Sequence, residues 1–186
     1  MRLPGRIHIF GSSGSGTSSL AREIAGKYGH RYLDTDDYYW LPTSPPFRET
    51  RPAEQRLALL RRAFAESSAW VFSGSLCGWG DPLLPEFHMI VFLAVPTPTR
   101  LARLARREAT RYGPEAIAPG GPLRQAHEEF LDWAARYDTG GPKMRSRAMH
   151  EAWLAGLACP VVRLEGDLTP DEQIRRIVAT AGSPTT

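Results

Sequence analysis

Short apolar runs with β-branched and aromatic residues alternate along this chain with longer stretches whose apolar positions recur at helical spacing. Arg6-Ile7-His8-Ile9-Phe10 stops at a glycine cluster, the pattern of a buried strand entering a turn. Leu20 to Tyr28 reads as a helix, and Arg31-Tyr32-Leu33 as a second strand. From Arg51 to Ser67, Leu57, Leu60 and Phe64 share one helical face, with Pro52 where a first turn tolerates it. Trp70-Val71-Phe72 predicts a third strand, and the almost wholly apolar run His88 to Val95 a central parallel one. A helix over Thr97 to Tyr112 and a Gly/Pro loop from Gly113 to Pro122 follow, then a helix ending near Tyr137. After another short loop, Thr139 to Pro142, come a helix near Met144 to Leu157, a strand over Pro160 to Leu164 and a closing helix over Pro170 to Ala181. Strands separated by helices call for an α/β fold, a three-layer α/β/α sandwich around a parallel sheet of five strands, with function at the strand ends.

The length of 186 residues fits one such domain, expected over residues 1–182, with residues 183–186 as a flexible tail. The net charge of +3 comes almost entirely from arginine, since Lys27 and Lys143 are the only lysines. No Lys/Arg block, basic aromatic sheet face or nucleic-acid motif is present, so small anionic ligands are expected and nucleic acid is not. Cys77 and Cys159 lie far apart and form neither a C-x-x-C pair nor a disulfide framework, which points to a reduced, cytoplasmic setting. No apolar stretch approaches the ~20 residues of a membrane span. The five histidines show no metal spacing.

The chemistry begins at Gly11-Ser12-Ser13-Gly14-Ser15-Gly16-Thr17-Ser18. This segment has the outer glycines and closing hydroxyl of the phosphate loop G-x-x-x-x-G-K-[ST] in its strand-to-helix setting, with threonine at the lysine position. Main-chain N–H groups and the positive end of the following helix can still hold polyphosphate, and Ser18 is placed to ligate Mg²⁺. Loss of the lysine threatens turnover more than binding, because that cation normally neutralises β- and γ-phosphate charge. The loop, followed by Asp34-Thr35-Asp36-Asp37-Tyr38-Tyr39-Trp40, resembles the P-loop superfamily of nucleoside-monophosphate and shikimate kinases, the adenylate kinase-like group, in a lysine-less version. The similarity runs over most of the chain and implies the strand order 2-3-1-4-5, ATP with Mg²⁺, a small-molecule acceptor and a helical lid.

By that resemblance Asp34 is the metal-side carboxylate and Asp36 the acceptor-side one; the alternative is that these acids cap the next helix. Tyr38, Tyr39, Trp40 and Phe47 make either a stacking wall for a ring-bearing acceptor or the packing of a small lid. Within an acceptor-binding segment of about residues 36–67, Arg48 and Arg51 stand where such kinases hold acceptor phosphate, or are solvated surface charge. Ser73-Gly74-Ser75 closes the third strand, where backbone approaches the acceptor, or is simple turn chemistry. On the arginine-rich helix, Arg103 and Arg107 share a face at i, i+4 spacing. The resemblance has them stack on adenine and reach its phosphates. A lid over about residues 113–147 would bring Arg145 or Arg147 to replace the missing lysine, since arginine grips phosphate oxygens bidentately. Leu164-Glu165-Gly166-Asp167 resembles the loop that passes the adenine. The expectation is an ATP-dependent phosphotransferase; the alternative is a nucleotide-binding module whose Thr17 has removed efficient catalysis. The acceptor and the oligomeric state stay open.

Overall fold

A computed structural model describes residues 3–44 and 46–182, so the expected tail at 183–186 lies outside the described residues. Five strands form one sheet: β1 (Arg6–Gly11), β2 (Arg31–Asp34), β3 (Trp70–Ser73), β4 (Met89–Ala94) and β5 (Val161–Glu165). Their order is β2-β3-β1-β4-β5 and every pair is parallel, as expected. The chain leaves β1 toward one edge and later crosses to the other, so the crevice for a ligand opens at the carboxyl end of β1.

Strand periodicity sorts the core into two unlike halves. Ile7 and Ile9 point to an aliphatic layer with Val91 and Leu93 of β4, covered by α1 (Thr17–Tyr28) and α8 (Pro170–Ala181) through Leu20, Ile24, Ile174 and Ile177. His8 and Phe10 alternate to the opposite face, which is largely aromatic: Phe64 of α3 (Ala53–Ala65) stacks on Trp70 at 4.0 Å, beside Phe72, Phe87 and Phe92. Each such buried ring contributes about 1.5–3 kcal/mol by leaving water.

Among the described residues five further helices and a 3₁₀ turn complete the chain, and Leu154 of the last of these helices and Leu83 of the turn pack into the aromatic face. The helices are α2 (Thr35–Tyr39), α4 (Thr97–Tyr112), α5 (Pro114–Ile117), α6 (Arg124–Ala135) and α7 (Arg147–Ala155), with the 3₁₀ turn at Asp81–Glu86. The sequence reading differs in detail here. The first helix begins at Thr17, because the loop itself supplies its first turn, with Gly16 left-handed at its cap. The Gly/Pro loop after α4 holds the short α5, started by Pro114. The helix expected from Met144 starts at Arg147, where the Ser146 hydroxyl accepts the Met149 N–H and ends the loop.

Candidate active site

The phosphate loop joins β1 to α1. Gly14 has φ 81° and a side chain there would meet the Arg100 carbonyl at 2.7 Å, so only glycine suits this turn. No side chain caps α1 and its first turn holds no acid, whereas Asp34, Ser146 and Thr169 cap α2, α7 and α8. The N–H groups at the start of α1 are thus left for an anion. The Ser12 and Ser15 hydroxyls are buried with no partner among the described residues. Two arginines of α4 brace the loop from outside. Arg100, fully buried, donates to the Ser13 carbonyl at 3.4 Å, and Arg103 to those of Gly14 and Ser15 at 3.5 and 3.4 Å. Arg103 also pairs with Asp167 at 2.5 Å, linking the loop after β5 to the phosphate loop.

Beside the loop, three hydroxyls converge on one carboxylate oxygen. Asp34 Oδ2 accepts from Ser18 Oγ and Ser73 Oγ, each at 2.9 Å, and from Tyr32 Oη. Its other oxygen accepts the Asp36 N–H at 3.1 Å. Asp34 therefore caps α2 and also gathers three hydroxyls beside the phosphate loop. Burial and the Asp34 charge hold the Tyr32 phenol above its usual range, so it stays a donor. Among the described residues no three His, Cys, Asp or Glu side chains converge as a metal cage. A hydroxyl plus one carboxylate, oxygen only, suits a magnesium ion that arrives on phosphate and keeps most of its own water.

Asp36 faces away from this cluster into a cavity of about 690 Å³ between α2, α4, α6 and the start of α7. Its surface opens to the cavity, yet the crowded walls raise the carboxyl above its ordinary value, with Asp34 next in effect; the Trp40 indole N–H, Arg145 and Arg107 oppose the rise. Ser13 of the loop, Ser75, Arg48, Arg107 and Arg145 line the same cavity. Burial and the neighbouring Arg111 lower the Arg107 pKa from its usual value. Trp40, Phe47, Phe130 and Trp133 form aromatic walls, with Arg107 over Phe130, Arg145 over Trp133 and Arg111 over Phe47. Phe47, at φ 63°, lies on a strap pinned by the Trp40–Thr50 bridge.

Other expected residues go elsewhere. Arg51 donates to the carbonyls of Tyr38 and Trp40, bracing the strap, and is not among the residues that line the cavity. Arg147 lies in a separate pocket of about 220 Å³, facing Glu151 and Glu165 at 3.9 Å each. Arg103 and Arg107, expected to act together, diverge: one braces the loop and the other enters the cavity. Gly74 turns the chain at φ 107°, its carbonyl bonded to His8 Nε2 at 2.7 Å. Ser75 Oγ meets His150 Nε2 at 3.2 Å, and Tyr137 Oη meets Nδ1 at 2.8 Å. Glu108, His127, Phe130 and Trp133 line the cavity and were not singled out by the sequence; Glu108 shares the inward face of α4 with Arg100 and Leu104, at every fourth position.

Comparison with known proteins fits this geometry. Residues 7–120 match the AAA domain family. Over 172 residues, 92% of this chain and 94% of the relative, the sequence is 43% identical to the uncharacterized protein YqaC of Bacillus subtilis. It is 28% identical to the shikimate kinase of Moorella thermoacetica over 83% of this chain and 99% of that one. A cytidylate kinase from Methanocorpusculum labreanum is 31% identical over 55% of this chain and 63% of its own. Among solved structures, the shikimate kinase of Acinetobacter baumannii in complex with shikimate shares the fold at a TM-score of 0.57, with 15% identity over 97% of this chain and 96% of that one. With its loop, its all-parallel sheet and a family match over more than half its length, the chain belongs to the AAA domain family and carries the P-loop fold of small-molecule kinases.

Proposed function

We propose that the protein is an ATP-dependent phosphotransferase that moves the γ-phosphate to a hydroxyl or phosphate oxygen of a small acceptor held in the 690 Å³ cavity. One observation carries the reading: Ser13 of the phosphate loop and the carboxylate of Asp36 open onto the same cavity, so a donor on the loop and an acceptor beside Asp36 would share one space. Relatives named as shikimate and cytidylate kinases support the reaction class.

In this reading the main-chain N–H groups of Gly11 to Ser18 hold the phosphates, and Arg103 keeps their loop in shape. Ser18 and Asp34 would hold Mg²⁺, which when bound neutralises charge on the phosphates. Asp36 takes the proton of the attacking hydroxyl as the new P–O bond forms and the bond to the β-phosphate breaks, releasing ADP. Arg145 and Arg107 offset charge on the transferred group, and Arg48 holds the acceptor's own anionic group. Of the two arginines expected to stand in for the lysine, the cavity favours Arg145. Closure of residues 113–147 over the cavity would exclude water.

A coupled assay across nucleosides, nucleotides and hydroxylated metabolites tests this. ADP formation that never exceeds the acceptor-free rate would sink it. The second reading, a binding module with impaired catalysis, is favoured by Thr17 and would be supported by tight ATP binding without turnover on any acceptor.

A further inference from the structure

The far wall of the cavity carries two polar groups that the phosphate chemistry does not use. Glu108 on α4 and His127 on α6 are 7% and 8% exposed, and both line the cavity. Their nearest approach, His127 Nδ1 to Glu108 Oε2, is 4.0 Å, too long for a hydrogen bond, and that imidazole nitrogen is buried without a partner among the described residues. Native proteins rarely leave buried polar groups unpaired, and the exceptions call for a ligand, a water or a functional role. The groups around the pair say which ligand. Phe130, on α6 with His127, and Trp133 one turn further on line the cavity with aromatic rings, each beside an arginine, a wall that suits a planar ring on an anionic ligand. A carboxylate can only accept hydrogen bonds, so the edge of that ring facing Glu108 must donate. Arg107, next to Glu108 in sequence, lies within electrostatic reach of both Glu108 and Asp36, so the pair and the carboxylate at the reacting end look into one space. Arg48, Arg107 and Arg145 supply cationic walls for an anionic group on the same ligand.

We propose that Glu108 and His127 form an acceptor-reading subsite, which takes the amine-bearing edge of an aromatic heterocycle whose anionic end is held by the cavity's arginines. Glu108 accepts from the exocyclic amine, and His127 pairs with a neighbouring ring nitrogen or substituent. The inference rests on the phosphotransferase reading only in treating this ligand as the acceptor.

Trp40 and Trp133 line the cavity, so tryptophan fluorescence reads binding directly, without ATP and independently of turnover. The probes are two matched pairs, each differing by one exocyclic amine: AMP against purine riboside 5′-monophosphate, and CMP against 2-pyrimidinone riboside 5′-monophosphate. In at least one pair the amine-bearing member is expected to bind at least about ten-fold more tightly, because a site built to hydrogen-bond a group rejects the analogue without it. In the near-isosteric Glu108→Gln variant the ratio should fall several-fold. Equal affinity within both pairs, no fluorescence response to any probe, or a preference that survives intact in folded Glu108→Gln would overturn the proposal. Should the variant not fold, the wild-type pairs still decide. Amine discrimination without acceptor-dependent ADP release would sink the transferase reading and leave the subsite. Acceptor-dependent ADP release without discrimination would do the reverse.

Discussion

Asp36 is held in a state that costs the fold and serves the chemistry. Burial and Asp34 raise its pKa, so ionising it is harder than for a free aspartate. A raised folded pKa adds stability below the unfolded value and loses it as pH climbs through the folded one. Asp36→Asn removes that loss, so its melting temperature at pH 7 should equal or exceed that of the wild type, while acceptor-dependent kcat falls by about 10²-fold or more. A loss of both stability and activity would make Asp36 a structural residue, acting through the bond it accepts from the Trp40 indole. The acid limb of kcat/KM should also lie above the ordinary aspartate value and vanish in the variant. Thr17 and Arg145 form a second test at this scale. If Arg145 supplies the charge that a loop lysine normally brings, Arg145→Ala should lower kcat by about 10²–10³-fold. Thr17→Lys alone should change kcat little, and the double variant should regain part of the loss. Additive effects of the two substitutions would separate their roles.

Among the elements, α4 shows what a one-dimensional pattern can and cannot tell. Four of its five arginines, Arg100, Arg103, Arg106 and Arg107, follow closely and were legible, and so was the i, i+4 pairing of Arg103 with Arg107. The direction each faces was not, because a charged stripe buried against neighbouring helices looks the same on paper as one in water. The face that turns inward is Arg100, Leu104, Glu108. Arg100 is satisfied locally by the Val95 carbonyl and Thr97, and by the carbonyls of Ser13 and Ala134 and by Asp138, which come from segments far from it in sequence. The strands were legible because each is a short apolar run. The phosphate loop was legible because its geometry is local. Arg147 was expected at the phosphates and faces Glu165 of β5 instead, since the Ser146 cap sets where α7 begins and hence where its first side chains point. The turn after β3 had two readings, and its geometry sharpens them. Gly74 lies at φ 107°, and a Cβ there would collide with Thr35 at the start of α2. Gly74→Ala should therefore destabilise the protein by about 2–4 kcal/mol in urea denaturation, combining a left-handed backbone with a clash. A change under about 0.5 kcal/mol would show that α2 shifts freely, and Asp36 with it.

Across the whole molecule, the two faces of the sheet differ in their response to acid. The aliphatic face is built of Leu, Ile, Val, Ala and Met, with Tyr28 and Tyr32 at its margin. The other encloses His8, stacked among Phe10, Phe72 and Phe87, and His150, packed edge-on to Phe10 and Phe92. Burial lowers His8 to about 4, despite its bond to the Gly74 carbonyl, and lowers His150 to about 3, with Arg145 adding to the effect. In the unfolded chain both return to about 6.5. Between those limits the unfolded state binds more protons, so stability must fall as pH falls. From pH 6.5, where the unfolded imidazole is half protonated, to pH 5, each should cost about 1.6 kcal/mol, the slope rising toward about 1.36 kcal/mol per pH unit. Asp36 works in the opposite sense, but its open surface keeps the contribution small. Urea denaturation at several pH values should thus show unfolding free energy dropping by about 3 kcal/mol over this range, before most carboxylates titrate. His8→Gln should flatten the slope by close to one proton, since glutamine retains a donor for the Gly74 carbonyl and carries no ionisable group. An unchanged slope in that variant would mean that water reaches the aromatic face and lets His8 protonate in place. The same route would admit water behind the turn that positions Ser75 and, through Thr35, the helix that bears Asp36.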